Sequence, residues 1–186
     1  KVKAMGLDLK RSDTPVFMQD FLSEVLLAVL TNGKEVDVLD MITEFRTKFK
    51  ARPGWEKGSP KRANNVTDYL AKLKKLGKVN MPGHVRASIN WNTLKEMNGD
   101  KFSMQIVDGM KVIVCKLKNN PMGYTSVAYP TDELRIPKWF QELPFEDEEM
   151  EVAIIDKKLD NLIGVLDWDI KSTEQKNTFN NLFDIE

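Results

Sequence analysis

Apolar side chains recur at helical spacing through the first third of the chain. Phe17, Phe21, Leu22, Val25, Leu26, Val29 and Leu30 predict a helix from about Pro15 to Thr31, stopped by Asn32-Gly33. Ahead of it, Arg11-Ser-Asp-Thr-Pro15 is a start signal in which Asp13 or Thr14 can cap and Pro15 suits the first turn. Leu39, Ile42, Phe45 and Phe49 predict a second helix, about Asp37 to Lys50, ended by Arg52-Pro53-Gly54, so the pair reads as an antiparallel hairpin. Trp55 to Asn65 reads as a polar loop. A third helix follows on Val66, Tyr69, Leu70, Leu73 and Leu76, and a fourth runs from about His84 to Met97, closed by Asn98-Gly99.

The period then changes from helical to alternating. Met104 to Val107, the turn Asp108-Gly109 and Met110 to Leu117 predict a β-hairpin, with a further strand from Thr125 to Tyr129. Leu134 to Leu143 is short and broken by Pro137. Phe145 to Leu162 is helical, with Glu146, Asp147, Glu148 and Glu149 complementing the dipole of its first turn. Lys171 to Asn177 reads as a polar linker. The expected fold is α+β, mostly helical, with a small antiparallel sheet inserted after the fourth helix. The 186 residues, 41% of them apolar, are enough for one core.

A net charge of zero conceals a separation along the chain. Residues 46 to 86 hold 12 Lys or Arg against 2 acids, whereas residues 131 to 186 hold 6 against 15. A basic middle suits a polyanion, because cations that neutralise phosphates release condensed counterions. The acidic end is expected to face away from it.

The residue inventory excludes several chemistries. Cys115 is the only cysteine and His84 the only histidine, so neither a disulfide framework nor a cysteine or histidine metal cluster can be assembled. Gly54-x-x-x-Gly58 with Lys61 lacks the spacing of a phosphate loop. Asp167-Trp168-Asp169 has the form of a two-metal motif but lies in the most acidic part of the chain, where phosphate would be repelled. The apolar runs are too short to cross a bilayer and no signal peptide opens the chain, so a soluble, cytoplasmic protein without a membrane partner is expected.

The chain begins without Met in a strand-like alternation, Lys1-Val-Lys3-Ala4, followed by Gly6. This opening, with Arg11-Ser-Asp-Thr-Pro15, resembles the passage from palm to thumb in family B DNA polymerases of the T-even phage type. Ala63-Asn64-Asn65, Pro82-Gly-His84-Val-Arg86 with Asn92 after it, and Ile106-Val-Asp-Gly-Met-Lys-Val through Tyr129-Pro130 resemble later segments of the same family, in order. The end, Leu182-Phe-Asp-Ile185, is similar to that family's terminal clamp-binding peptide, although Glu186 and the missing terminal aromatic depart from it.

The resemblance implies a palm junction over residues 1–14, a thumb over 15–170 and a tail over 171–186. It implies DNA contacts by Lys1, Lys3, Arg11, Lys61, Arg62, Asn64, Asn65, Lys78, His84 and Arg86, and clamp contacts by Phe179, Leu182, Phe183 and Ile185. The implied partners are primer-template DNA, the palm and exonuclease portion of the polymerase, and a sliding clamp. Nucleotidyl transfer with two Mg ions would belong to the parent enzyme; this chain lacks the catalytic carboxylates, is expected to be inactive alone and has no cofactor of its own. A stand-alone nucleic-acid-binding protein and a protein-interaction adaptor are the other readings the charge pattern allows.

Overall fold

The helical periodicities close into helices where the spacing puts them. In chain order the elements of the computed structural model are α1 (Val16–Leu30), α2 (Glu35–Lys50), β1 (Ser59–Arg62), α3 (Val66–Leu76), α4 (Gly83–Met97), β2 (Lys111–Lys116), β3 (Ser126–Pro130), α5 (Lys138–Gln141), α6 (Asp147–Glu151) and α7 (Lys157–Ile163). A π-helical stretch, Val152–Asp156, joins α6 to α7. The structure describes residues 8–31 and 33–174. Pro53–Met150 form one compact unit, and the described residues up to Arg52 together with those from Glu151 form another.

In the second of these, α1, α2, the π-helical stretch and α7 bury Met18, Leu22, Val25, Val38, Ile42, Phe49, Ile155 and Leu159 in a common core. The rings of Phe21 and Phe45 stack with centroids 3.8 Å apart, tying α1 to α2. The cap expected of Asp13 or Thr14 is not made. Pro15 itself occupies the N-cap position without a side-chain bond, Asp13 accepts from Arg11 Nε at 3.2 Å, and Gln19 Nε2 donates to the Thr14 carbonyl at 2.9 Å.

Arg46 is only 1% exposed in this core. Its guanidinium donates to Glu151 Oε1 at 3.1 Å, to Asp156 and to Thr173 Oγ1 at 2.9 Å. Residues of the acidic end thus fold against a cation of the basic middle, contrary to the expectation that the acidic end faces away. A desolvated guanidinium requires such partners.

The Pro53–Met150 unit is built on a three-stranded antiparallel sheet of order β1-β2-β3. Pairing sets Lys61 opposite Val112 and Arg62 opposite Lys111 on one side of β2, and Val114 opposite Ala128 on the other. Two features of the expected sheet are corrected. Part of the expected polar loop is strand β1, so one of the three strands precedes α3; it lacks apolar alternation because it is an edge strand, where Pro60 is tolerated. Met104 to Val107 is not a strand, because other groups hold its backbone. Trp91 Nε1 donates to the Met104 carbonyl at 2.8 Å, the Met104 N–H donates to Glu133 at 2.7 Å, and Asn92 holds the peptide groups of Ile106.

Helix α4 lies against β3 and is buried on most sides, through Ala87, Ser88, Ile89, Asn90, Trp91, Asn92 and Leu94. Its polar members reach backbone: Asn90 Nδ2 donates to the Ser126 carbonyl at 2.8 Å. Trp91 packs on Trp139 and Phe140 at centroid distances of 5.1 Å. The glycines of the phosphate-loop lookalike have a packing role. A Cβ at Gly54 would stand 2.5 Å from Phe145 Cβ, and one at Gly58 would stand 2.7 Å from Cys115 Sγ and from the Val114 carbonyl oxygen.

Candidate nucleic-acid interface

Edge strand β1 and the two ends of α3 carry most of the expected DNA-contact residues that the structure describes. Strand alternation puts Lys61 on the face of Val112 and Arg62 on the face of Lys111. Both cations are exposed. Arg62 and Lys111 are like charges directly opposite each other, an arrangement that costs a few tenths to about 1 kcal/mol until an anion relieves it. Arg62 Nη1 is steadied by the Gly109 carbonyl at 3.2 Å.

The loop that follows β1 is clamped at Ala63, which is fully buried. Its N–H donates to the Met110 carbonyl at 2.8 Å, and its carbonyl accepts from Gly109 N–H at 2.6 Å. Asn64 and Asn65 then emerge exposed. Asn65 adopts the left-handed conformation, φ 60° and ψ 25°, and its side chain makes no capping bond.

At its other end, α3 stops at Gly77 (φ 69°), and Lys78 follows, exposed. Arg86 Nη2 donates to the Val79 carbonyl at 3.0 Å, which fixes the loop leading into α4. Asn65 and Lys78 therefore bracket a helix of 11 residues, about 16 Å long at the α-helical rise. That length matches roughly five base pairs along a duplex axis. Lys72, Lys74 and Lys75 are also exposed on α3. The sequence alone does not single them out, because lysines on a helix usually mark only a solvated face.

His84 sits half-buried in the first turn of α4. Burial, and secondarily the Lys61 ammonium, push its pKa below the ordinary 6.5, so the ring favours its neutral form.

The remaining expected residues lie elsewhere. Arg11 belongs to the other unit, where its guanidinium faces Asp13 at 3.2 Å and Asp8 at 3.5 Å. Lys1, Lys3, Phe179, Leu182, Phe183 and Ile185 lie outside the described residues. Asn92 is buried and engaged with Ile106, so it acts within the fold. The basic block of the sequence is also divided. Arg46 is buried, Lys48 pairs with Glu44 at 2.7 Å, Arg52 stacks over Phe17 at 4.2 Å, and the buried Lys57 faces Asp147 at 3.3 Å.

Among the described residues no three His, Cys, Asp or Glu side chains converge as a metal site. Asp169 Oδ1 instead accepts the Ser172 N–H at 3.2 Å. No helix among the described residues is long and apolar enough to cross a membrane.

An exposed basic strand edge, a carboxamide pair and a helix flanked by further cations define an α+β module suited to a phosphate backbone. No protein-family model matches the chain. It is similar to the DNA-directed DNA polymerase of Escherichia phage RB69, with 30% identity over 132 residues, 70% of this chain. It is also similar to the DNA-directed DNA polymerase of Enterobacteria phage T4, with 28% identity over 131 residues. The match takes in 14% of the length of either polymerase, so the chain resembles one segment of a much longer protein.

Proposed function

We propose that this chain is the thumb portion of a phage-type, family B replicative DNA polymerase, and that its Pro53–Met150 unit grips the primer-template duplex. The observation that carries the reading is that Lys61, Arg62, Asn64, Asn65, Lys78 and Arg86 are all exposed in a chain similar to two phage DNA polymerases over 70% of its length. The cations engage phosphates. The carboxamides hydrogen-bond minor-groove acceptors present at every base pair, which holds DNA without selecting a sequence.

Nucleotidyl transfer belongs to a palm outside this chain, and the chain alone turns over no nucleotide. Lys1 and Lys3 approach the primer when that palm is present. The tail residues Phe179, Leu182, Phe183 and Ile185 tether the enzyme to a sliding clamp in the host cytoplasm.

Titrating duplex affinity with salt tests the grip. Four cations on four phosphates give a slope of log K against log salt near −4. A slope near zero, or no duplex binding at low salt, contradicts it and leaves the adaptor reading. The tether is tested by clamp pull-down with the intact chain, Phe183→Ala and a chain ending at Asn177; equal retention of all three removes it.

A further inference from the structure

Asn65 stands at the N-cap of α3, where an Asn side chain ordinarily accepts a bond from the first turn of the helix. Here Asn65 makes no such bond; its backbone is left-handed rather than the extended conformation of an ordinary N-cap, and its side chain is exposed. The cap comes from another segment: a carboxylate oxygen of Asp108 accepts the Val66 N–H, the first unpaired donor of the helix. A carboxylate there also meets the positive end of the helix dipole.

The turn that carries Asp108 is itself held twice. Asn92 binds Ile106 two residues before it. Gly109, at φ 89°, and Met110 bond to Ala63 after it.

We infer that Asp108 is a positioning residue of the DNA interface: by accepting the Val66 N–H it ties the first turn of α3 to the 106–110 turn, and so holds Asn65 in the left-handed conformation in which its carboxamide is exposed for the duplex. The inference rests on the proposed duplex grip. It assigns to Asn65 a contact that depends on a residue 43 positions later in the sequence.

The test is a double-mutant cycle on the intact chain, read as the dissociation constant for a primed DNA duplex at one salt concentration, with thermal melts in parallel. Asn65→Gly removes the carboxamide and suits the left-handed backbone, so it melts no lower than the native chain and binds about tenfold more weakly, the scale of one hydrogen bond. Asp108→Ala weakens binding to a similar degree. The double variant binds no more weakly than Asn65→Gly alone, and Asp108→Asn, which retains an acceptor oxygen, stays within about threefold of the native chain.

The inference is overturned if Asn65→Gly binds like the native chain, or if Asp108→Ala weakens binding by the same factor with and without the Asn65 carboxamide. A readout without any change at Asp108 is the Asn65 side-chain amide resonance, assigned by its loss in Asn65→Gly. It shifts when primed duplex is added, and a resonance that stays in place overturns the inference. Failure of the native chain to bind any duplex overturns the proposed grip and this inference together.

Discussion

The carboxamide of Asn92 closes two hydrogen bonds on the peptide groups of Ile106: its Nδ2 donates to the carbonyl at 2.9 Å and its Oδ1 accepts the N–H at 2.8 Å. Ile106 is 1% exposed, so no water can replace these bonds if the side chain is shortened. Asn92→Ala leaves a buried donor and a buried acceptor unpaired and is expected to destabilise the protein by about 2–4 kcal/mol. Urea unfolding measures this; a change below about 0.5 kcal/mol would show that the segment finds other partners.

Arg46 supports a second prediction. Truncation to Ala takes from the carboxylates of Glu151 and Asp156, 13% and 27% exposed, their guanidinium partner, leaving Glu151 with Lys50 at 4.0 Å, and removes a partner of Thr173. Partial exposure puts the expected loss at the low end for buried pairs, about 3 kcal/mol, and because the guanidinium is dry the loss persists in molar salt. Unfolding of Arg46→Ala at low and high salt checks both statements, and a loss that vanishes in high salt contradicts the second.

How far these features could be read from the sequence depended on how local they are. Helices α1 to α4 follow from spacings such as Phe21, Val25 and Leu39, Ile42, since apolar periodicity is a local property of amphipathic helices. Strand β1 was hidden because Ser59-Pro-Lys-Arg62 is polar and pairs only once β2 lies beside it. Met104 to Val107 alternates like a strand, yet side chains from α4 take its hydrogen bonds. The exposed cations Lys61, Arg62, Lys78 and Arg86 were legible as residue types. The cap from Asp108 was not, because Asp108-Gly109 signals a turn and nothing local says whose N–H its carboxylate receives.

His84 makes stability depend on pH. Its pKa in the folded protein lies below 6.5, first through burial and then through Lys61, so the unfolded chain takes up a proton before the folded one does. The stabilisation from neutral His84 is therefore complete above about pH 6.5 and is lost as the pH falls toward the folded value. Relative to His84→Asn, the native chain is expected to lose unfolding free energy between about pH 7.5 and 5.5. A difference that stays constant over that range contradicts the assignment.

Arg62 gives a test that separates phosphate contact from folding. Arg62→Ala removes one cation of a like-charge pair at an exposed edge, so stability should change by no more than about 0.5 kcal/mol. The salt slope of duplex binding should become shallower by about 1. Weaker binding with an unchanged slope would mean that Arg62 acts by holding the Gly109 turn.

Competition binding tests most directly whether this chain grips duplex DNA. A labelled primer-template bound to the chain at low salt is displaced by an unlabelled duplex or by the corresponding single strand. The duplex is expected to compete at least about tenfold more effectively than the single strand, and Lys61→Ala with Arg62→Ala is expected to abolish most of the binding. Equal competition by the two, or no binding to begin with, would contradict the duplex grip.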